Sequence, residues 1–289
     1  MDTFSFLLAP FIASLILTGI HAYLGVHVVE RGVIFVDLSL AQIAALGTTI
    51  AVLYGIEPHS MGAYVVSLIF TFIGAGVFST IRGRQVRIPQ EAIIGICYAV
   101  ASAAAILAMS KSVEQTEHLK EMLVGNILTV SWFEVGKTAV LYGVVGVFHY
   151  VFRKKFLAIS MDAAKAEAQG INTRLWDFLF YASFGFVVTS SVAIAGVLLV
   201  FCYLIVPSVG AMLFSERIGP RLAIGWTMGT AVSAMGVYLS LKIDLPTGAT
   251  IVCTFALVLI LMALFRQFFW RRVSTTSLEA AARNSPAAY

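Results

Sequence analysis

WDFLFYASFGFVVTSSVAIAGVLLVFCYLIVPSVGAMLF, from Trp176 to Phe214, carries a single charge, Asp177. Arg174 lies just before it, and Glu216, Arg217 and Arg221 just after. Basic residues collect beside the cytoplasmic ends of membrane spans. A stretch flanked on both sides by such residues leaves the cytoplasmic face and returns to it, so it crosses twice. The break is expected at Ala195-Gly196.

Outward from this stretch the same pattern repeats. A span needs about 20 mostly apolar residues, and nine runs qualify: 6–25, 33–54, 61–81, 91–109, 135–152, 176–194, 197–214, 222–241 and 247–266. Each must be helical, because lipid offers no partner to an unpaired backbone N–H or C=O. The expected fold is an all-α polytopic membrane helix bundle of about nine transmembrane helices, one transmembrane domain over 1–272. Apolar residues make up 60% of the chain and charged residues 12%, and the mean hydropathy is +0.92. That composition leaves too little polar side chain to cover a soluble core.

The basic clusters set the orientation. Arg82, Arg84 and Arg87 crowd one loop; Arg153, Lys154, Lys155, Lys165 and Arg174 another; Arg217 and Arg221 a third; Arg266, Arg271 and Arg272 follow the last span. These loops are read as cytoplasmic, which puts the C-terminus inside and the N-terminus outside, as in a multi-pass protein of a bacterial plasma membrane. Met1-Asp-Thr-Phe-Ser has neither the basic region nor the cleavage site of a signal peptide, so the first span is expected to stay in the fold. From Val273 the composition turns to Ser, Thr, Ala, Asn and Pro, and residues 273–289 read as a disordered cytoplasmic tail. Cys97, Cys202 and Cys253 sit singly in separate apolar runs and read as small buried hydrophobes. The net charge of +4 is what inner loops supply, so no nucleic acid is implied.

No GxxxxGK[ST], HExxH or GxSxG sequence occurs. A chain without these holds no usual nucleotide site and no recognisable hydrolase or metalloprotease centre, so any energy source must come from another chain. The largest insertion with basic flanks, 153–175, contains Asp162-Ala-Ala-Lys165-Ala166-Glu-Ala-Gln-Gly170. Asp162 suits an N-cap, the Ala/Lys/Glu/Gln run favours helix, and Gly170 suits a left-handed ending. The expectation is a short helix outside the membrane, about 160–172. Composition alone would also allow an ordinary surface connector.

Asp162, Ala166 and Gly170 at this spacing resemble the coupling helix of binding-protein-dependent ABC importer permeases, where small residues let the helix dock on the ATPase. Other segments agree: Gly196-Val-Leu-Leu-Val200, Leu204-Ile-Val-Pro207-Ser-Val-Gly-Ala211, Asp244-Leu-Pro246-Thr247-Gly248-Ala-Thr-Ile251-Val252, Glu91-Ala-Ile-Ile-Gly95-Ile96 and Leu123-Val-Gly125-Asn-Ile-Leu128-Thr-Val-Ser131. In this order they look like the ABC-3 family, permeases of zinc, manganese and iron(II) importers. The resemblance covers about residues 25–265. It implies a transport subunit rather than an enzyme, with no resident cofactor and the metal as cargo. Its implied partners are an ABC ATPase dimer, a second permease copy, an extracytoplasmic metal-binding protein and lipid.

One region departs from that family. Its second span typically carries an acid and a histidine four residues apart; here the segment is Phe35-Val-Asp37-Leu-Ser-Leu-Ala-Gln42-Ile-Ala-Ala-Leu46-Gly47. Gln42 stands at the histidine position, and Asp37 is one place early. Five residues amount to about 140° around a helix, so Asp37 and Gln42 do not share a face. Asp37 is still a functional candidate, because an intramembrane carboxylate needs a partner or a wet cavity. His21, taken as one turn from the end of the preceding span, could meet it and supply a ligand; Asp37, His21 and Gln42 are thus candidate transient contacts for a metal, or Asp37 and His21 are a structural pair.

Several other polar residues have plainer readings. His27, Glu30 and Arg31 read as interfacial anchoring, Glu91 as a local helix cap, and His59 as a loop residue. His118 with Glu114, Glu117 and Glu121 makes an outer acidic patch, either solvated or receiving cations or a binding protein. Gly74, Gly76, Gly143, Gly146, Gly225, Gly229 and Gly236 read as points of close helix packing, and Trp132, Trp226 and Trp270 as interfacial anchors. A secondary transporter or channel would fit the hydropathy but leaves the 153–175 insertion without a role, and no inverted repeat is evident. For an intramembrane enzyme there is no nucleophile and base at a recognisable spacing.

Overall fold

The computed structural model describes residues 3–57, 60–81, 89–110 and 127–283, with side chains from 7 to 268. Among the described residues it is helical without a strand. The helices are α1 (Thr3–Glu30), α2 (Val36–Leu53), α3 (Met61–Ile81), α4 (Gln90–Met109), α5 (Trp132–Val151), α6 (Arg153–Met161), α7 (Ala163–Ala168), α8 (Thr173–Met212), α9 (Ile218–Ile243) and α10 (Thr247–Arg283). Seven of them are long and apolar enough to cross a membrane, or eight if the α5–α6 pair, bent by 74°, counts as one span. The chain is therefore a multi-pass membrane protein. Arg82, Arg84, Arg87, His59, His118 and its acidic neighbours lie outside the described residues. The backbone of α10 continues as helix to Arg283. Its side chains beyond Phe268 are outside the description, that of Trp270 among them, and of the tail expected over 273–289 the backbone is helical as far as Arg283.

The first helix is longer than its apolar run. α1 continues five residues past Gly25 to Glu30, then ends where Gly32 takes φ +66° and its N–H bonds the Val29 carbonyl, a glycine-terminated helix end. The extension forms because His27 and Glu30 have partners inside the protein, which an apolar-run reading does not see. α1 packs against α8, α9 and α5, so it runs through the middle of the bundle.

The Trp176–Phe214 stretch is spanned by α8, 40 residues long. Inside it Gly196 alone has non-helical angles, φ 74° and ψ 161°, a region open essentially to glycine. A straight helix of that length would measure roughly 60 Å at 1.5 Å per residue. Yet Asp177 near its start pairs with Arg31, while Arg221, beyond its end and in the first turn of α9, pairs with Glu30. Both ends thus sit beside consecutive residues, Glu30 at the end of α1 and Arg31 just after it, and α8 folds back on itself at Gly196. Ser191 before the break and Leu204 and Ser208 after it meet α1 at His21 to Gly25.

Close helix crossings use glycine, though not always the expected ones. A Cβ on Gly229 would lie 2.4 Å from Thr18, one on Gly236 2.7 Å from Ile251, one on Gly74 2.9 Å from Ile43 and one on Gly225 3.6 Å from Pro207. An added Cβ on Gly76, Gly143 or Gly146, on α3 and α5, instead meets nothing within 4 Å among the described residues. The tightest crossing, Gly25 against the Leu204 carbonyl, lies at the point where the first apolar run was expected to stop. Trp132 is exposed, whereas Trp226 donates its indole N–H to the Gly19 carbonyl and so is bound to α1. The three cysteines are free; Cys97 and Cys202 are half-buried and Cys253 is exposed, so burial holds only in part for the first two.

Candidate functional site

Three groups of residues carry chemistry, and they are built differently. The first is the helix α7. Asp162 is its N-cap, accepting the Lys165 N–H at 3.0 Å, with the Lys165 ammonium 3.0 Å from its second oxygen. The Lys165 backbone N–H, and then its side chain, hold the exposed Asp162 carboxyl below the usual carboxylate range. The ending is also as the residues suggest: Gly170 takes φ +80°, its N–H bonds Glu167 and that of Ile171 bonds Ala166, closing the helix with a left-handed residue. The helix is shorter than 160–172, six residues, and is preceded by α6, which the insertion did not announce.

The three positions matched by the resemblance do not share one environment. Ala166 is 1% exposed and packs into the core of this chain. Ala164, Lys165, Glu167, Ala168, Gln169 and Gly170 are exposed. The outward surface of α7 is therefore formed by the residues around Ala166, while Ala166 lets the helix lie tightly on its own bundle.

The second group is Asp37, His21 and Gln42. Asp37 stands in the first turn of α2 and is 1% exposed, enclosed by this chain's own helices. Among the described residues its Oδ1 and the Oγ of Ser39, also buried, have no hydrogen-bond partner. Asp37 lies within electrostatic reach of Tyr142 and Cys202. It does not pair with His21: among the described residues no hydrogen bond or ion pair joins them. The His21 ring is taken up elsewhere, Nδ1 with the Leu17 carbonyl at 2.8 Å and Nε2 with Ser191 Oγ at 3.2 Å. The reason is the length of α1. With the helix continuing to Glu30, His21 sits more than two turns from its end rather than one. Gln42 is buried on α2, and no three His, Cys, Asp or Glu side chains gather into a metal-binding cluster among the described residues.

His21 belongs instead to a polar seam between α1, α5 and α8. Ser191 bonds Tyr142, whose hydroxyl also donates to the Val187 carbonyl and accepts from Ser190. Hydroxyls and imidazoles in a membrane interior are retained when they satisfy one another, because lipid cannot.

The third group was missed as a group. His27, Glu30 and Arg31 read as interfacial, but His27 and Arg31 are buried. Arg31 Nη1 donates to Asp177 at 2.6 Å, with side-chain exposures of 0% and 2%. Its Nε donates to Ser160 Oγ at 2.9 Å, which is also hydrogen-bonded to His27 Nδ1 at 2.8 Å. The guanidinium carbon sits 3.9 Å above the Phe180 ring. Alongside, His149 stacks on Phe156 at 4.3 Å and bonds Ser183, and Tyr23 packs edge-on to both His27 and His149. The one local signal was Asp177, a lone charge in an apolar stretch; its partner lies 146 positions away. Glu91 likewise caps no turn of its own helix. Its Oε1 accepts the Phe35 N–H at 3.0 Å, closing the start of α2 instead.

The chain is similar to proteins that move metals. It is 26% identical over 244 residues to the manganese transport system membrane protein MntC of Listeria innocua, covering 82% of this chain and 86% of that one. It is 26% identical over 239 residues to the chelated iron transport system membrane protein YfeC of Yersinia pestis, covering 83% and 79%. Its fold is that of PsaBC from Streptococcus pneumoniae, solved in complex with Fab, with a TM-score of 0.74 at 21% identity over 90% of this chain and 92% of that one. The model of the ABC 3 transport family matches residues 3–266, from the start of α1 through the membrane-length part of α10, and the chain belongs to that family.

Proposed function

We propose that this chain is the permease subunit of an ATP-driven, binding-protein-dependent importer of a divalent transition metal ion: manganese, iron or zinc. The observation that carries the reading is the family match over residues 3–266. Manganese and iron transport proteins among its relatives support the cargo. Counting the bent α5–α6 pair as one span and α8 as two brings the crossings to nine. With the basic loops inside, the N-terminus is extracytoplasmic and the C-terminus cytoplasmic.

In this reading α7 is the coupling helix. Asp162 fixes its start, Gly170 its end, and the exposed face from Ala164 to Gly170 meets one subunit of an ATPase dimer. Two permease copies flank the pathway, and a metal-loaded extracytoplasmic protein docks outside. The transported ion is cargo, and the chain has no cofactor of its own. Asp37 is the residue we assign to transient contact with the ion, since an enclosed carboxylate oxygen without a partner gains from a passing dication. Gln42 adds a neutral oxygen. His21 contributes only if Ser191 releases it. Weak holding suits the task, because each state must bind and then let go as the bundle switches.

The test is reconstitution with an ABC ATPase partner and with the binding protein loaded in turn with manganese, iron(II), zinc and an unrelated ligand. ATP hydrolysis should rise with one or more metal-loaded forms only. A permease that does not copurify with the ATPase, or hydrolysis that ignores the loaded protein, would sink the importer reading.

A further inference from the structure

Resting on the importer reading, we propose that Ser160 is a positioning residue for coupling, the joint through which movement of the α7 surface helix is passed to α1. Ser160 sits on α6, two residues before the Asp162 cap that starts α7. Its hydroxyl is buried and held from two sides by α1, by Arg31 Nε at 2.9 Å and His27 Nδ1 at 2.8 Å.

Much of the remaining contact of this region is apolar. Phe156 and Ile159 on α6 and Ala166 on α7 are buried in the apolar core, where Phe156 also stacks on His149, and apolar burial is itself non-directional. It keeps α6 and α7 on the bundle and specifies their register less sharply than a hydrogen bond does. A hydroxyl gripped by a guanidinium and an imidazole is directional and fails beyond about 3.5 Å or at poor angles. It therefore fixes where α6 lies along α1.

Arg31 is also where the other elements meet. The same guanidinium holds Asp177 near the start of α8, and the preceding residue, Glu30, pairs with Arg221 of α9. Glu30, the last residue of α1, and Arg31, just after it, thus connect α6, α8 and α9. From this node α1 runs back through the bundle to His21 and the Ser191–Tyr142 seam. A push on α7 that moves Ser160 moves this node, and the helices joined to it move as one body. Without the hydroxyl, α7 keeps its surface and its apolar seat but can shift without carrying α1.

The test uses the complete complex in proteoliposomes, permease with its ATPase and manganese-loaded binding protein, measuring manganese(II) uptake and ATP hydrolysis together. Ser160→Ala should copurify with the ATPase yet take up about tenfold less manganese per ATP hydrolysed, the weight of one hydrogen bond to a charged group. Ser160→Thr, which restores the hydroxyl, should recover most of that ratio. If Ser160→Ala does not accumulate, Ser160→Cys, a weak hydrogen-bonding near-isostere, is measured against Ser160→Thr with the same expectation. A wild-type ratio in Ser160→Ala or Ser160→Cys, or a Ser160→Thr ratio no better than theirs, overturns the joint. A wild-type chain that fails to bind the ATPase, or moves none of manganese, iron(II) and zinc, overturns instead the importer reading beneath it.

Discussion

Adding one methyl at Gly25 should loosen the centre of the bundle, and the same methyl at Gly76 should not. A Cβ on Gly25 would fall 1.9 Å from the Leu204 carbonyl oxygen, 2.4 Å from Ser208 Oγ and 2.9 Å from the Leu204 carbonyl carbon. Carbon and oxygen rest at about 3.3–3.6 Å, so α1 and the second half of α8 must separate by more than about 1 Å. Ser208 can rotate away; a helix carbonyl cannot. A gap of that size forfeits a quarter to a half of each dispersion contact along the crossing, which buries Leu24, Val28, Tyr203 and Leu204. We expect Gly25→Ala to cost about 3 kcal/mol, at the upper end of overpacking changes. Gly76 meets nothing within 4 Å, so Gly76→Ala should be neutral or gain up to about 1 kcal/mol from helix propensity. At about 2–4 °C per kcal/mol, gel-filtration melting of the two variants in one detergent should put Gly25→Ala about 6–12 °C below wild type. A Gly25→Ala midpoint within about 2 °C of wild type, or an equal drop for Gly76→Ala, would refute the crossing as described.

Three further outcomes are expected. Arg31→Met leaves Asp177 buried without its ion pair and should destabilise by about 3–5 kcal/mol, while Arg31→Met with Asp177→Leu should recover most of that loss; a double variant as unstable as the single one would show that the pair is not what the region depends on. Gly170→Val has space but must hold φ near +80°, a strain of about 1–2 kcal/mol for a residue with a Cβ; it should insert normally yet lose ATPase copurification or transport-linked hydrolysis, with Gly170→Asn less affected, and wild-type transport by well-expressed Gly170→Val would remove the coupling assignment. Asp37→Asn should sharply lower metal uptake while expression and binding-protein docking persist; normal uptake would leave Asp37 as scaffold.

What could be read along the chain were the properties that lipid or local backbone impose residue by residue. Helices of span length follow from apolar runs because no other backbone is satisfied in hydrocarbon. The turn at Gly196, the Asp162 cap and the left-handed Gly170 follow from charge placement and from the few residues that suit a cap or φ > 0. The true end of α1, the burial of His27 and Arg31, the separation of His21 from Asp37 and the choice of Gly25 over Gly143 as the tight crossing could not be read that way. Each depends on a partner 100 or more positions away: Ser160, Asp177, Ser191 and Leu204. A polar residue at a span end looks the same whether it faces headgroups or a buried arginine. Only the packing of α1 against α6, α8 and α9 decides which, since the free energy of a buried charge is set by its neighbours in space.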